Sequence, residues 1–72
     1  MAKLPVISGY ELIKILTKHF SFRFLRQKGS HVTLTNDIFF ITVPLHKELD
    51  KGTLNAILKD ANISREDFLK YL

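Results

Sequence analysis

The chain contains no cysteine, two prolines and three glycines, and its seven acids are outnumbered by eleven lysines and arginines. Without cysteine there is no disulfide framework and no thiolate metal site, so the fold has to close by packing alone, which suits a reducing compartment. The glycines form no phosphate loop, since Gly52 stands alone in the first turn of an expected helix. The three histidines fall in a helix end, a strand and a loop, with no HxxxH pair and no accompanying carboxylate cluster. No metal or other cofactor is therefore expected. Repeats, low-complexity tracts and linkers are absent. The stretch Met1 to Ile7 has one lysine and an early proline, too short and too polar for a signal peptide or a spanning helix, and a cytoplasmic location is expected.

Seventy-two residues make one small domain, 1–72. Its thin core should supply a net stability of roughly 3 to 5 kcal/mol and leave no room for a large substrate cavity. The formal charge is +4, and the cations cluster: three of them and no acid lie between Phe20 and Asn36. Such a surplus serves solubility, or it marks a surface for phosphates or for an acidic protein partner.

Ser8 and Glu11 match a capping box, and Leu12, Ile13, Leu16 and Phe20 recur at helical spacing, predicting a helix over 9–19. His19 in its last turn complements the helix dipole. Phe22 to Gln27 predicts a strand with Phe22 and Phe24 on one side and Arg23 and Leu25 on the other. A turn over Lys28 to Ser30 uses Gly29 at positive φ. In the next strand Val32 and Leu34 alternate with His31, Thr33 and Thr35. Asn36-Asp37 closes a second hairpin into a third strand, Ile38 to Val43, apolar on both faces and stopped by Pro44. Asp50 caps a helix over 51–61 with the stripe Leu54, Ile57, Leu58 and Ala61, Asn62 ends it in a left-handed turn, and Ser64 opens a short helix, Arg65 to Tyr71.

Two amphipathic helices and one sheet are satisfied together only when the helices lie across one sheet face. The expected architecture is thus an α+β two-layer sandwich with a three-stranded antiparallel meander. Leu16, Leu34, Ile57 and Leu58 should be buried together, and His31, Thr33 and Thr35 should face the open side.

That open side is where chemistry is expected. Arg26-Gln27-Lys28-Gly29-Ser30-His31 holds more polar groups than a hairpin turn requires. His31 carries an imidazole, the side chain best suited to proton transfer, and Arg26 and Lys28 can hold a phosphodiester beside it, a set suited to RNA cleavage. The bland alternative is a partly exposed strand histidine. The helix start Asp50-Lys51-Gly52-Thr53, with Lys47 and Lys51, is either a phosphate site or an ordinary capped terminus.

The stretch Arg26 to His31 is followed by Thr42-Val43-Pro44, by His46 and Glu48-Leu49, and by Lys51-Gly52-Thr53-Leu54 with Ile57-Leu58 and Ala61. In this order and spacing the chain resembles the HicA toxin family. The start, Leu4-Pro5 and a helix containing Glu11-Leu12-Ile13-Lys14 and Leu16, is similar as well. The resemblance implies a fold like the double-stranded-RNA-binding domain, activity as a messenger-RNA interferase, and control by a HicB antitoxin. The catalytic histidine of the family's GSH motif maps onto His31. Ser21 and Asn62 stand where glycines are usual, before the first strand and after the second main helix, and the second hairpin is short and lacks its usual glycine.

The expected activity is a metal-independent endoribonuclease with His31 as general base. Arg26, Lys28, Ser30, Lys47 and Lys51 are the expected RNA-binding residues. The proton for the leaving oxygen comes from His46, Lys28 or water. The competing readings are a non-catalytic RNA-binding module and a small protein-interaction domain. Double-stranded-RNA-binding domains usually carry several lysines at the second main helix, and here Lys47 and Lys51 flank an acid, Asp50.

Overall fold

The computed structural model describes residues 4–72; Met1, Ala2 and Lys3, part of the stretch read as too short for a leader, lie outside the described residues. Helix α1 (Gly9–His19) begins at a reciprocal capping box: the Glu11 N–H donates to Ser8 Oγ and the Ser8 N–H to Glu11 Oε1, both at 3.1 Å. Leu12 and Leu16 form its buried stripe. Ser21, at φ 61°, reverses the chain so that the Phe22 N–H returns to the Leu16 carbonyl at 3.2 Å. His19 does more than complement the dipole. Its ring stacks on Tyr71 with centroids 4.2 Å apart, tying the end of α1 to the carboxy-terminal segment.

Strands β1 (Arg23–Lys28), β2 (His31–Thr35) and β3 (Phe40–Pro44) form an antiparallel sheet in the order β1-β2-β3. Helices α2 (Lys51–Asp60) and α3 (Arg65–Leu69) follow, capped by Asp50 and Ser64. α1 packs on β1 and β3, and α2 on β3, from the side to which Val32, Leu34, Ile41 and Val43 point. Leu16, Leu34, Ile57 and Leu58 are at most 5% exposed within one cluster, which Phe68 of α3 completes. The opposite sheet face is uncovered. The α+β sandwich follows from the sequence pattern because the strand and helix periods agree on a single buried layer.

Three local expectations need correction. Simple alternation along the first strand fails, because Leu25 has no partner in the register: Phe24 opposes Leu34 and Arg26 opposes Thr33. This bulge swaps the faces of everything after it. Phe24 is 57% exposed on the sheet edge while Phe22, before the strand, is buried. The third strand begins at Phe40 rather than Ile38, because the Asn36 side chain accepts from the amides of Ile38 and Phe39 and Asp37 takes φ 76°, holding both residues in the turn. The two faces of that strand differ, since Ile41 and Val43 are buried while the other side is exposed at Phe40 and Thr42 and buried only at Pro44. Thr35 does not meet water either. It is 1% exposed, its hydroxyl donating to the Phe39 carbonyl and accepting from the Asp37 amide, each at 3.0 Å.

Gly9 sits where α1 meets the end of β3, its N–H donating to the His46 carbonyl at 2.9 Å. A β-carbon there would fall on the Pro44 carbonyl oxygen and lie 3.1 Å from Leu45 Cα.

Ser21, Asp37 and Asn62 all hold positive φ, at 61°, 76° and 59°. A non-glycine residue pays about 1–2 kcal/mol in that region, and glycine loses about 0.5–1 kcal/mol in chain entropy. Ser21→Gly should therefore stabilise the fold by about 0.5–1 kcal/mol, and Asn62→Gly by less, since asparagine tolerates the conformation. Urea unfolding midpoints measure both; a lower midpoint for Ser21→Gly would refute the assignment of strain at that residue.

Candidate nucleic-acid interface

Residues directly opposed in an antiparallel pair share a face, so the register defines what the open face carries. Lys28 opposes His31, and His31 opposes Pro44. Arg26 opposes Thr33, which opposes Thr42; Arg23 opposes Thr35, which opposes Phe40. Three cross-strand rows result, each of which brings a cation beside an imidazole or a hydroxyl. Without the Leu25 bulge, Arg26 and Lys28 would point with Phe24 toward the helices.

The turn between Lys28 and His31 has two residues, with Gly29 at φ 58° and Ser30 outside the positive region, the φ pattern of a type II′ hairpin. Gln27 Nε2 donates to the Gly29 carbonyl at 2.9 Å and the Leu45 N–H to the Ser30 carbonyl at 2.7 Å. Ser30 thus moors the β3–α2 loop to the turn. The His31 side chain is exposed and has no hydrogen bond or ring contact among the described residues.

The strands carry no acid. Arg23 is engaged by Asp37 in a two-pronged pair, Nη1 to Oδ2 at 2.9 Å and Nη2 to Oδ1 at 2.7 Å. These hydrogen bonds, and then the guanidinium charge, hold the Asp37 carboxyl below its usual range and the guanidinium above its own. Arg26 and Lys28 form no ion pair among the described residues. Of the three cations noted in the sequence, one is structural and two are available to an anion.

His46 and Lys47 lie in the loop just past Pro44, exposed, and Lys51 is the first residue of α2. The loop is joined to the turn through its backbone, but no side-chain hydrogen bond links His46 to His31. The Asp50 carboxylate fills the α2 terminus, accepting the Thr53 N–H at 2.7 Å. That bond, with a smaller contribution from His46, lowers its pKa, so an anion already occupies the position proposed for a phosphate. Of the two readings of this terminus, the structure has the capped one. Thr42 escaped the sequence reading as a site residue; its hydroxyl-bearing place beside Thr33 is visible only in the register.

Among the described residues no helix is long and apolar enough to cross a membrane. A family model described as the HicA toxin of bacterial toxin–antitoxin systems matches residues 9–63. The chain belongs to the HicA toxin family. No curated protein matches it. The match runs from the first residue of α1 to Ile63, past the end of α2, and so takes in the whole sheet and the turn bearing His31. As a HicA-family toxin, the chain has an antitoxin as the general partner of its system. Both Ser21 and Asn62, the two residues that depart from the usual glycines, hold the left-handed backbone that glycine favours.

Proposed function

We propose that this HicA-family chain is an endoribonuclease that cuts messenger RNA without a metal ion, with His31 as the catalytic base. The observation that carries the reading is the pairing of Lys28 with His31 across the hairpin, on a solvent-open face free of acids. A neutral imidazole nitrogen of His31 takes the proton of a ribose 2′-OH. The 2′-oxygen attacks the adjacent phosphorus, the bond to the 5′-oxygen breaks, and the products are a 2′,3′-cyclic phosphate and a 5′-hydroxyl. Lys28 stabilises the charge gathering on the non-bridging oxygens, and Arg26, one row along, holds the neighbouring phosphate. The departing 5′-oxygen takes its proton from His46, Lys28 or water. Lys47 and Lys51 add positive potential along the loop, and Ser30 fixes that loop relative to the base through its carbonyl.

Incubation of the purified chain with RNA in EDTA tests this. Shortened RNA with cyclic phosphate ends is expected. Retention of intact RNA would favour a binding module instead, and neither retention nor cleavage a protein-interaction domain.

The same basic face suits a HicB-like antitoxin that blocks cleavage by covering Lys28 and His31. Association between opposite charges slows as salt screens them, so the association rate should fall with rising ionic strength. Stopped-flow mixing at several salt concentrations measures it, and an interface confined to α3 with His31 left open would refute the covered face.

A further inference from the structure

Two residues along β3 beyond Thr42, the open face carries an exposed phenyl ring. Phe40 is 63% exposed and opposes Thr35, so it projects to the side of His31, Thr33 and Thr42 and away from Ile41 and Val43. The core has no use for it. Its position is four residues from Pro44, the partner of His31, which is about 13 Å along the strand. A ring at that distance meets a base flanking the scissile bond rather than the bond itself. Between the two lies the row of Arg26, Thr33 and Thr42, a cation and two hydroxyls suited to the intervening phosphate and sugar.

We infer that Phe40 is a stacking platform for an unpaired base, so that the chain engages single-stranded RNA laid across the open sheet face from His31 to Phe40. This rests on the RNA-cleaving reading above and names the form of RNA that it requires. An aromatic ring on a sheet stacks a base only when that base is free of its own stack and pair, whereas a duplex offers phosphates and 2′-hydroxyls in its groove. Charge favours RNA as occupant: Arg26 and Lys28 form no ion pair among the described residues, and Asp37, in the turn beside Phe40, is paired with Arg23. The α2 terminus points the same way. Asp50 caps its amides with a carboxylate and Lys51 is the one cation in its first turn, where duplex-binding domains usually carry several.

The chain has no tryptophan, so Phe40→Trp introduces a single indole reporter at the site. In a His31→Ala background, where RNA is held uncut, an unpaired oligoribonucleotide should quench that indole and the same sequence as a duplex should not. Phe40→Ala should weaken single-strand binding by roughly 5- to 100-fold, and Phe40→Trp should restore it. An unquenched indole on a chain that still binds the labelled oligonucleotide would overturn the platform, as would unchanged binding by Phe40→Ala. Loss of antitoxin binding by Phe40→Ala with RNA binding intact would also overturn it and assign the ring to the protein partner. If the parent chain neither binds nor cuts RNA, the RNA-cleaving reading itself falls, an outcome separate from failure at Phe40 alone.

Discussion

Replacing His31 with alanine is expected to lower the rate of RNA cleavage by about 10²- to 10⁴-fold, the usual contribution of a positioned general base. RNA should still be retained, because Arg26 and Lys28 keep their places on the sheet and neither depends on the imidazole for a hydrogen bond. Stability should change by no more than about 0.5 kcal/mol, since the side chain lies on solvent and holds no partner among the described residues. Fold, retention and cleavage rate of His31→Ala are compared with the parent, and His46→Ala serves as the parallel variant for the leaving-group proton. Undiminished cleavage would end the catalytic assignment. An unfolded His31→Ala chain would make the residue a structural histidine instead.

Gly9→Ala should destabilise the fold well beyond the cost of an ordinary helix substitution. The added methyl meets the backbone of Pro44, with the carbonyl carbon at 3.0 Å and its oxygen nearer still, so no flexible side chain can yield. Either α1 lifts from the end of β3 and the bond from Gly9 to His46 is lost, or β3 shifts and disturbs the strand that pairs with His31. Overpacking of this kind costs about 1–3 kcal/mol, against a total of roughly 3 to 5 kcal/mol for so small a domain. A melting temperature lower by about 4–8 °C for each kcal/mol lost is expected. Gly52→Ala is the contrast: there the β-carbon meets only the Asp50 carboxylate oxygen at 3.5 Å, and a helical position favours alanine over glycine by about 0.5–1 kcal/mol. Equal melting temperatures for the two variants would refute the close approach at Gly9.

The helices and the order of the strands were legible because their signals are local. Ser8, Asp50 and Ser64 satisfy amides within three residues of themselves, and the stripes of Leu12 and Leu16 or Leu54, Ile57 and Leu58 repeat at the period of one turn. The stretch Arg26 to His31 was legible too, because a two-residue turn needs only a glycine and the surplus of cations and imidazole had no local use. These elements, the amphipathic faces and the candidate base were determined by the sequence itself.

Which cations stand beside His31 was decided by tertiary structure alone. Alternation sends Arg26 and Lys28 toward the helices with Phe24, and the Leu25 bulge returns them to the open face. A bulge depends on how the partner strand pairs, so no period within β1 reveals it. Arg23 is removed from the site by Asp37, fourteen residues away across the second hairpin, and the side chain of Asn36 delays β3 until Phe40. Gly9 likewise reads as an ordinary first helical residue until β3 arrives against it. The Asn36 bonds reach only two and three residues; in the other cases the deciding contact joins residues distant in the chain, and its geometry exists only after the sheet and helices have packed.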